Sequence, residues 1–212
     1  MRLFSGTDVR IIMPRPPGGQ QLEIPIDGSD GSAVAVAPPG VQQLDVVENG
    51  STFEANAFKK ATAYVEAYAR PCLADDSGIC IDTLAGAPGV RSARFGGLGL
   101  DDAGRTRYLA ACLASVPPGW RGAHYVCVLV LARPGLPPLI RAGMLYGEIA
   151  QKPGTGGTGF GYDPVFLVPG LGLTVADMSP EQKDSVSHRG LAARRLLAAL
   201  PPMGQEAGTM EG

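Results

Sequence analysis

Two carboxylates stand side by side in the stretch LADDSG, at Asp75 and Asp76. Adjacent negative charges repel unless a proton or a cation separates them. The pair therefore admits two readings. One is a divalent-cation site built from hard oxygen donors. The other is the solvated tip of a hairpin, because Asp, Ser and Gly are turn formers. The flanking residues, CLA before and ICID after, give the local expectation of a strand, a turn and a second strand or helix start.

Two further stretches carry chemistry-bearing residues. GTGGTGFGYDP (154–164) has five glycines, which let backbone N–H groups come close to an anion. It lacks the GxxxxGK[ST] form of a P-loop, so its alternatives are an anion-binding loop or a flexible connection. Within it Phe160 and Tyr162 offer either faces for stacking on a base or anchors for the loop. Asp163, ahead of Pro164, suits capping or accepting hydrogen bonds from a base edge. MSPEQKDSVSHRG (178–190) gathers Lys183, His188 and Arg189 around a helix start, where the dipole and three potential cations favour an anion or a polar base. The plainer reading is a solvated basic face. Arg91 and Arg94, in PGVRSARF (88–95), have no evident assignment. Taken together, a carboxylate cluster, a Gly/aromatic loop and a Lys/His/Arg helix start suit a Mg²⁺-bound phosphate with a heterocycle at its far end, which is the substrate of a nucleotide hydrolase.

These groups need elements to hold them. Ser51–Glu54 has capping-box spacing, so a helix is expected from Ser51. Phe53, Ala57, Ala61, Tyr64, Val65 and Tyr68 recur along it at helical spacing. At ~100° per residue, Asn56 and Lys60 fall at the edge of that apolar stripe while Lys59 points away. Asn56 and Lys60 are thus candidates for facing a cleft, the plainer reading being that Lys60 merely snorkels to solvent. DDAGRTRYLAACLAS reads as a second helix, capped by Asp101 or Asp102 and packed through Tyr108, Leu109, Cys112 and Leu113. AHYVCVLVLA is the strongest strand, and RPGLPP turns it into LIRAGMLYGEIA as an antiparallel pair. VFLV is a short buried strand. Helices are expected to open at Ser179-Pro180 and again at Ser187. RIIM (10–13) and AVAVA (33–37) are weak strand candidates.

At 212 residues there is ample chain for one domain or two joined lobes. With 18 basic and 20 acidic residues, the net charge of −2 leaves no nucleic-acid or membrane-surface footprint. Four cysteines in apolar settings, without CxxC spacing, suggest buried free thiols in a reducing compartment. No apolar run approaches the ~20 residues of a membrane span. A cytoplasmic protein is expected.

TFEANAFKKA, LADDSG, GAPGVRSARF, GFGYDPVF and MSPEQKDSVSHRG occur in this order at suitable spacing. Together they closely resemble the inosine-triphosphate pyrophosphatase family, the dITP/XTP pyrophosphatases, from about Glu48 to about Leu200. The resemblance implies an α/β fold with a long, bent, mostly antiparallel or mixed sheet, flanking helices and two lobes around a central cleft, usually as a homodimer. It implies Mg²⁺-dependent hydrolysis of ITP, dITP and XTP to the monophosphate and pyrophosphate. By motif match Asp76 is the catalytic carboxylate and a Mg²⁺ ligand, with Glu48 a looser second ligand. Ser77 is a substrate contact, Phe160, Gly161, Tyr162 and Asp163 hold the base, and Lys183, His188 and Arg189 read its 6-oxo edge. On this reading Mg²⁺ is what lets Asp75 and Asp76 crowd together.

The opening of the chain departs from the pattern. The family's T-x-N-x-x-K turn, which holds the triphosphate, is replaced by SGTDVRIIMPRPPGG. Residues 1–47 are expected to be an atypical segment, disordered or aberrant, 48–203 the pyrophosphatase domain and 204–212 a flexible tail. The alternative function is a nucleotide-binding member whose grip on phosphate is impaired.

Overall fold

The computed structural model describes residues 44–97, 99–156 and 161–200, together with the backbone of three strands before them. AVAVA, Phe160 and the 204–212 tail lie outside the described residues.

The three early strands, β1 (Phe4–Ser5), β2 (Asp8–Ile12) and β3 (Glu23–Asp27), form an antiparallel sheet in that order. RIIM lies largely within β2. EIPID, not among the strand candidates, forms β3, an edge strand, where the missing N–H of Pro25 is tolerated.

A helix, α1 (Phe53–Tyr68), leads into β4 (Cys72–Ile81); α2 (Asp102–Cys112), β5 (Gly122–Arg133), β6 (Leu136–Ile149), β7 (Phe166–Val168) and β8 (Leu173–Thr174) follow. Two last helices, α3 (Pro180–Val186) and α4 (His188–Ala198), close the described domain. The sheet runs β4-β5-β6-β7-β8, every described pair antiparallel.

LADDSG does not turn. β4 passes through it unbroken, with Asp75 opposite Leu129 and Asp76 opposite Val128 of β5. Ten consecutive ladder pairs to an apolar strand outweigh the local preference of Asp-Ser-Gly. Because side chains alternate across a strand, Asp75 and Asp76 project from opposite faces of the sheet.

β5 is apolar at successive positions because both of its faces are covered. Val126, Val128, Val130 and Ala132 face α1, where Ala57 and Ala61 are fully buried. Cys127, Leu129 and Leu131 face Ala192, Ala193 and Leu196 of α4. The close approach of α4 to the sheet depends on Gly143: a Cβ there would collide with the carbonyl oxygen of His188 and the amide of Ala192. That contact fixes the start of α4 over β6.

The local signals mostly hold, with small corrections. Thr52, not Ser51, caps α1, its hydroxyl accepting from the Ala55 amide. Asp101 caps α2. Leu109 and Leu113 are buried, but Tyr108 and the free thiol Cys112 are exposed, so the packing face of α2 is narrower than its pattern suggests. The RPGLPP turn is tighter than expected, since β6 already begins at Leu136. Ser179 forms a full capping box with Gln182, and Ser187 caps α4.

Candidate active site

On the α1 face of the sheet, Asp76 is only 6% exposed. Its Oδ1 accepts from Lys60 Nζ at 3.1 Å and its Oδ2 from Asn56 Nδ2 at 3.3 Å. Lys60 Nζ also donates to Glu48 Oε1, at 3.1 Å, so one ammonium bridges two carboxylates. Asn56 and Lys60 thus occupy the inward edge of α1 that helix geometry assigns them. Asn56 Oδ1 in turn accepts the Gly50 amide, and Arg94 donates to the Glu48 carbonyl, which ties the coil carrying Glu48 to the domain. Lys59 points outward to Asn49. Burial raises the Asp76 carboxyl to about 6; Lys60 and Asn56 pull it back, and Glu48 adds to the rise. A carboxylate tuned toward neutrality is a better proton acceptor than an ordinary aspartate.

On the opposite face Asp75 is bound up in a different network. Its Oδ2 accepts from Arg189 Nε at 2.8 Å and from Cys127 Sγ at 3.3 Å, and its Oδ1 from Ser77 Oγ at 2.6 Å. Burial pushes this carboxyl up, but Arg189 and the hydrogen bonds from Ser77 and Cys127 outweigh it, holding the group below the usual carboxylate range. The crowding of the two aspartates is therefore resolved without a shared metal. Each has its own cation on its own side of the sheet.

Beside Arg189, His188 stacks on Tyr125 with ring centroids 4.7 Å apart. The sequence offered three cations here, but burial, aided by Arg189, depresses His188 to about 3, so the imidazole is neutral. Its buried Nδ1 has no hydrogen-bond partner among the described residues. Asp163 accepts from Lys183 at 2.7 Å and from the Tyr125 hydroxyl at 3.1 Å. Tyr162 is an anchor as well as a wall, its hydroxyl donating to the Ser92 carbonyl at 2.9 Å.

Two described glycine amides of the loop are already taken by side chains of the protein. The Gly156 amide goes to Asp177 and the Gly161 amide to Asp102, at 2.6 and 2.8 Å. Internal carboxylates are the anions these N–H groups meet. Thr106 donates to the Gly161 carbonyl at 3.2 Å, so α2 grips this residue on both sides.

These networks enclose a cleft of about 500 Å³, mouth included. Of the expected residues, Ser77, Gly161, Tyr162, Asp163, His188 and Arg189 line it, with Lys183 behind Asp163. Asp76 and Glu48 do not: they lie across β4. Asp102, Arg105 and Ser92 line the cleft without having been singled out in the sequence. Asp102 was visible only as an alternative helix cap, and Ser92 only as part of a motif.

The Ham1 family model matches residues 26–199. The chain is 45% identical over 151 residues to the dITP/XTP pyrophosphatase of Yersinia pseudotuberculosis, covering 70% of this chain and 76% of that protein. It is 46% identical over 150 residues to that of Nocardia farcinica, covering 71% and 72%. A HAM1 protein structure from Coxiella burnetii aligns with a TM-score of 0.69 at 41% identity, over 73% of this chain and 79% of that one. A nucleoside-triphosphatase/dITP/XTP pyrophosphatase from Mycobacterium abscessus aligns with a TM-score of 0.64 at 43% identity, over 78% and 82%. With this sheet, these flanking helices and this site, the chain belongs to the Ham1 family.

Proposed function

We propose that the protein hydrolyses ITP, dITP and XTP to the monophosphate and pyrophosphate in a Mg²⁺-dependent reaction. Its family makes it a hydrolase of nucleoside-triphosphate anhydride bonds that serves to cleanse the nucleotide pool. The observation that carries the specific reading is the back-to-back placement of Asp75 and Asp76. One strand presents a tuned carboxylate to a Lys/Glu cluster on one side and anchors the wall of a base-sized cleft on the other.

Glu48 and Asp76 fit Mg²⁺. Both are hard oxygen donors already drawn around one cationic group, Lys60, and Mg²⁺ characteristically takes one or two carboxylates plus substrate phosphates. These two would hold the ion, with substrate phosphates completing its ligands. When bound, the ion supplies positive charge to the phosphates and acidifies water. Asp76 accepts the proton of the water that attacks the α-phosphorus, the α–β anhydride bond breaks, and pyrophosphate leaves. Lys60 and Asn56 hold the Asp76 carboxylate in place, and Lys60 contributes charge toward the phosphates. In the cleft, His188 and Arg189 meet the 6-oxo edge. Adenine's 6-amino group leaves those groups mismatched, a defect that typically costs several orders of magnitude in rate.

Pyrophosphate release from ITP, XTP, ATP and GTP, with and without Mg²⁺, tests this. ITP and XTP are expected to exceed ATP by at least about a hundredfold in kcat/KM, only with Mg²⁺. Equal turnover of ATP refutes the base assignment, and Mg²⁺-independent turnover refutes the metal. Nothing in the comparisons favours the alternative of a member that binds without turning over.

A further inference from the structure

Three cationic side chains surround the cleft, and two have close carboxylate partners. Arg189 is held by Asp75 at 2.8 Å and Lys183 by Asp163 at 2.7 Å. The third, Arg105, lines the same cleft with a side chain only 17% exposed. It makes no hydrogen bond among the described residues. Its partner there is Asp102, 3.8 Å away, whose other oxygen is taken by the Gly161 amide. A guanidinium has five donors and no acceptor, and leaving them unpaired in a half-dry cleft is costly. The fold nevertheless fixes this side chain. It stands on the first turn of α2, which is capped by Asp101 and clasps Gly161 through Asp102 and Thr106.

We propose that Arg105 determines specificity at the purine 2-position. The inference rests on the base-binding reading above. With the 6-oxo edge against the cluster of His188, Arg189 and Tyr125, the 2-substituent falls to the second cluster, that of Asp102, Arg105 and Gly161. Xanthine carries a 2-oxo group there, an acceptor that satisfies the guanidinium. Hypoxanthine carries only hydrogen, which neither pairs nor clashes. Guanine carries a 2-amino group, and two sets of donors then face each other. Guanine shares the 6-oxo group with both substrates, so the 6-edge readers cannot reject it. A donor-only side chain at the 2-position can. A 2-amino group reaching Asp102 would compete for its oxygens with the Gly161 amide and with the ion pair to Arg105.

The test compares kcat/KM for XTP, ITP, GTP and ATP between the wild type, Arg105→Met and Arg105→Lys. Met keeps the apolar stem and removes the donors. Arg105→Met is expected to lower XTP relative to ITP by about tenfold and to raise GTP relative to ITP by about tenfold, as for loss of a base-reading donor. Arg105→Lys should fall between the two. A parallel fall for all four substrates would show a merely structural role and overturn the proposal, as would unchanged ratios. Calorimetric titration of XMP, IMP and GMP, which needs no turnover, gives a second readout: the XMP preference should vanish in Arg105→Met. If the wild type binds these monophosphates no better than AMP, the base-binding reading itself has failed and this inference falls with it. If the wild type discriminates against AMP but Arg105→Met leaves XMP, IMP and GMP in their original ranking, only the role of Arg105 is refuted.

Discussion

Asp75→Asn is the sharpest probe of how the site is built. The substitution preserves volume and leaves no cavity, so its effect is electrostatic. It strands Arg189, whose side chain is 13% exposed, opposite a carboxylate that was 3% exposed. Breaking a buried ion pair from one side costs roughly 3–5 kcal/mol, because the remaining charge is left desolvated. Asn keeps one accepting oxygen, which places the expectation near the low end, at about 3 kcal/mol. For a chain of this size that corresponds to a fall in Tm of roughly 6–12 °C, a large share of a typical total stability of ~5–15 kcal/mol. Urea denaturation at neutral pH measures it, with an unchanged m-value confirming that only stability moved. The partner experiment replaces both groups, Asp75→Leu with Arg189→Met. Removing the charges together should recover most of the loss, since a well-packed apolar pair substitutes for a buried ion pair at little cost. A loss under ~1 kcal/mol for Asp75→Asn, the range of a solvated pair, would refute the reasoning. So would a double variant no more stable than the single one.

Asp76→Asn should behave in the opposite way, keeping the fold while lowering kcat by at least about a hundredfold, the usual cost of losing a general base; retention of more than a tenth of wild-type kcat would remove Asp76 from its assigned role. For His188, the folded value of about 3 lies below the ~6.5 of an unfolded imidazole. The stability this contributes is present above ~6.5 and is lost as pH falls toward 3, with roughly 2 kcal/mol gone between pH 7 and pH 5. His188→Phe, which keeps the stack on Tyr125, should flatten that part of the stability–pH curve, and an unaltered slope would mean that the histidine is charged in the fold. Gly143→Ala should cost roughly 1–3 kcal/mol by overpacking and raise KM for ITP by shifting His188 and Arg189, whereas wild-type KM would show that α4 is not positioned by this contact.

Much of the scaffold was legible because its signals are local. The helix starts at Ser179-Pro180 and Ser187, the α2 cap at Asp101 (one of two positions offered) and the β-branched run of β5 each act within a few residues, and each is found in the structure. Helical periodicity alone turned Asn56 and Lys60 inward, and the order of the motifs pointed to the family. Elsewhere the answer depended on partners far along the chain. Asp75 and Asp76 looked like one acidic cluster on a turn, and only the ladder to β5 made them back-to-back members of a strand. The cation that satisfies Asp75 lies 114 residues away, so no window of sequence could pair them. Burial made His188 neutral, and the carboxylates of Asp102 and Asp177 took up glycine-loop amides that seemed free for a phosphate. Arg105 drew no notice as one more charge in the first turn of a helix. Propensity and periodicity are properties of neighbours and were readable from the chain. Burial, pairing and protonation depend on what the folded sheet brings alongside each group, and the tertiary structure alone decided them.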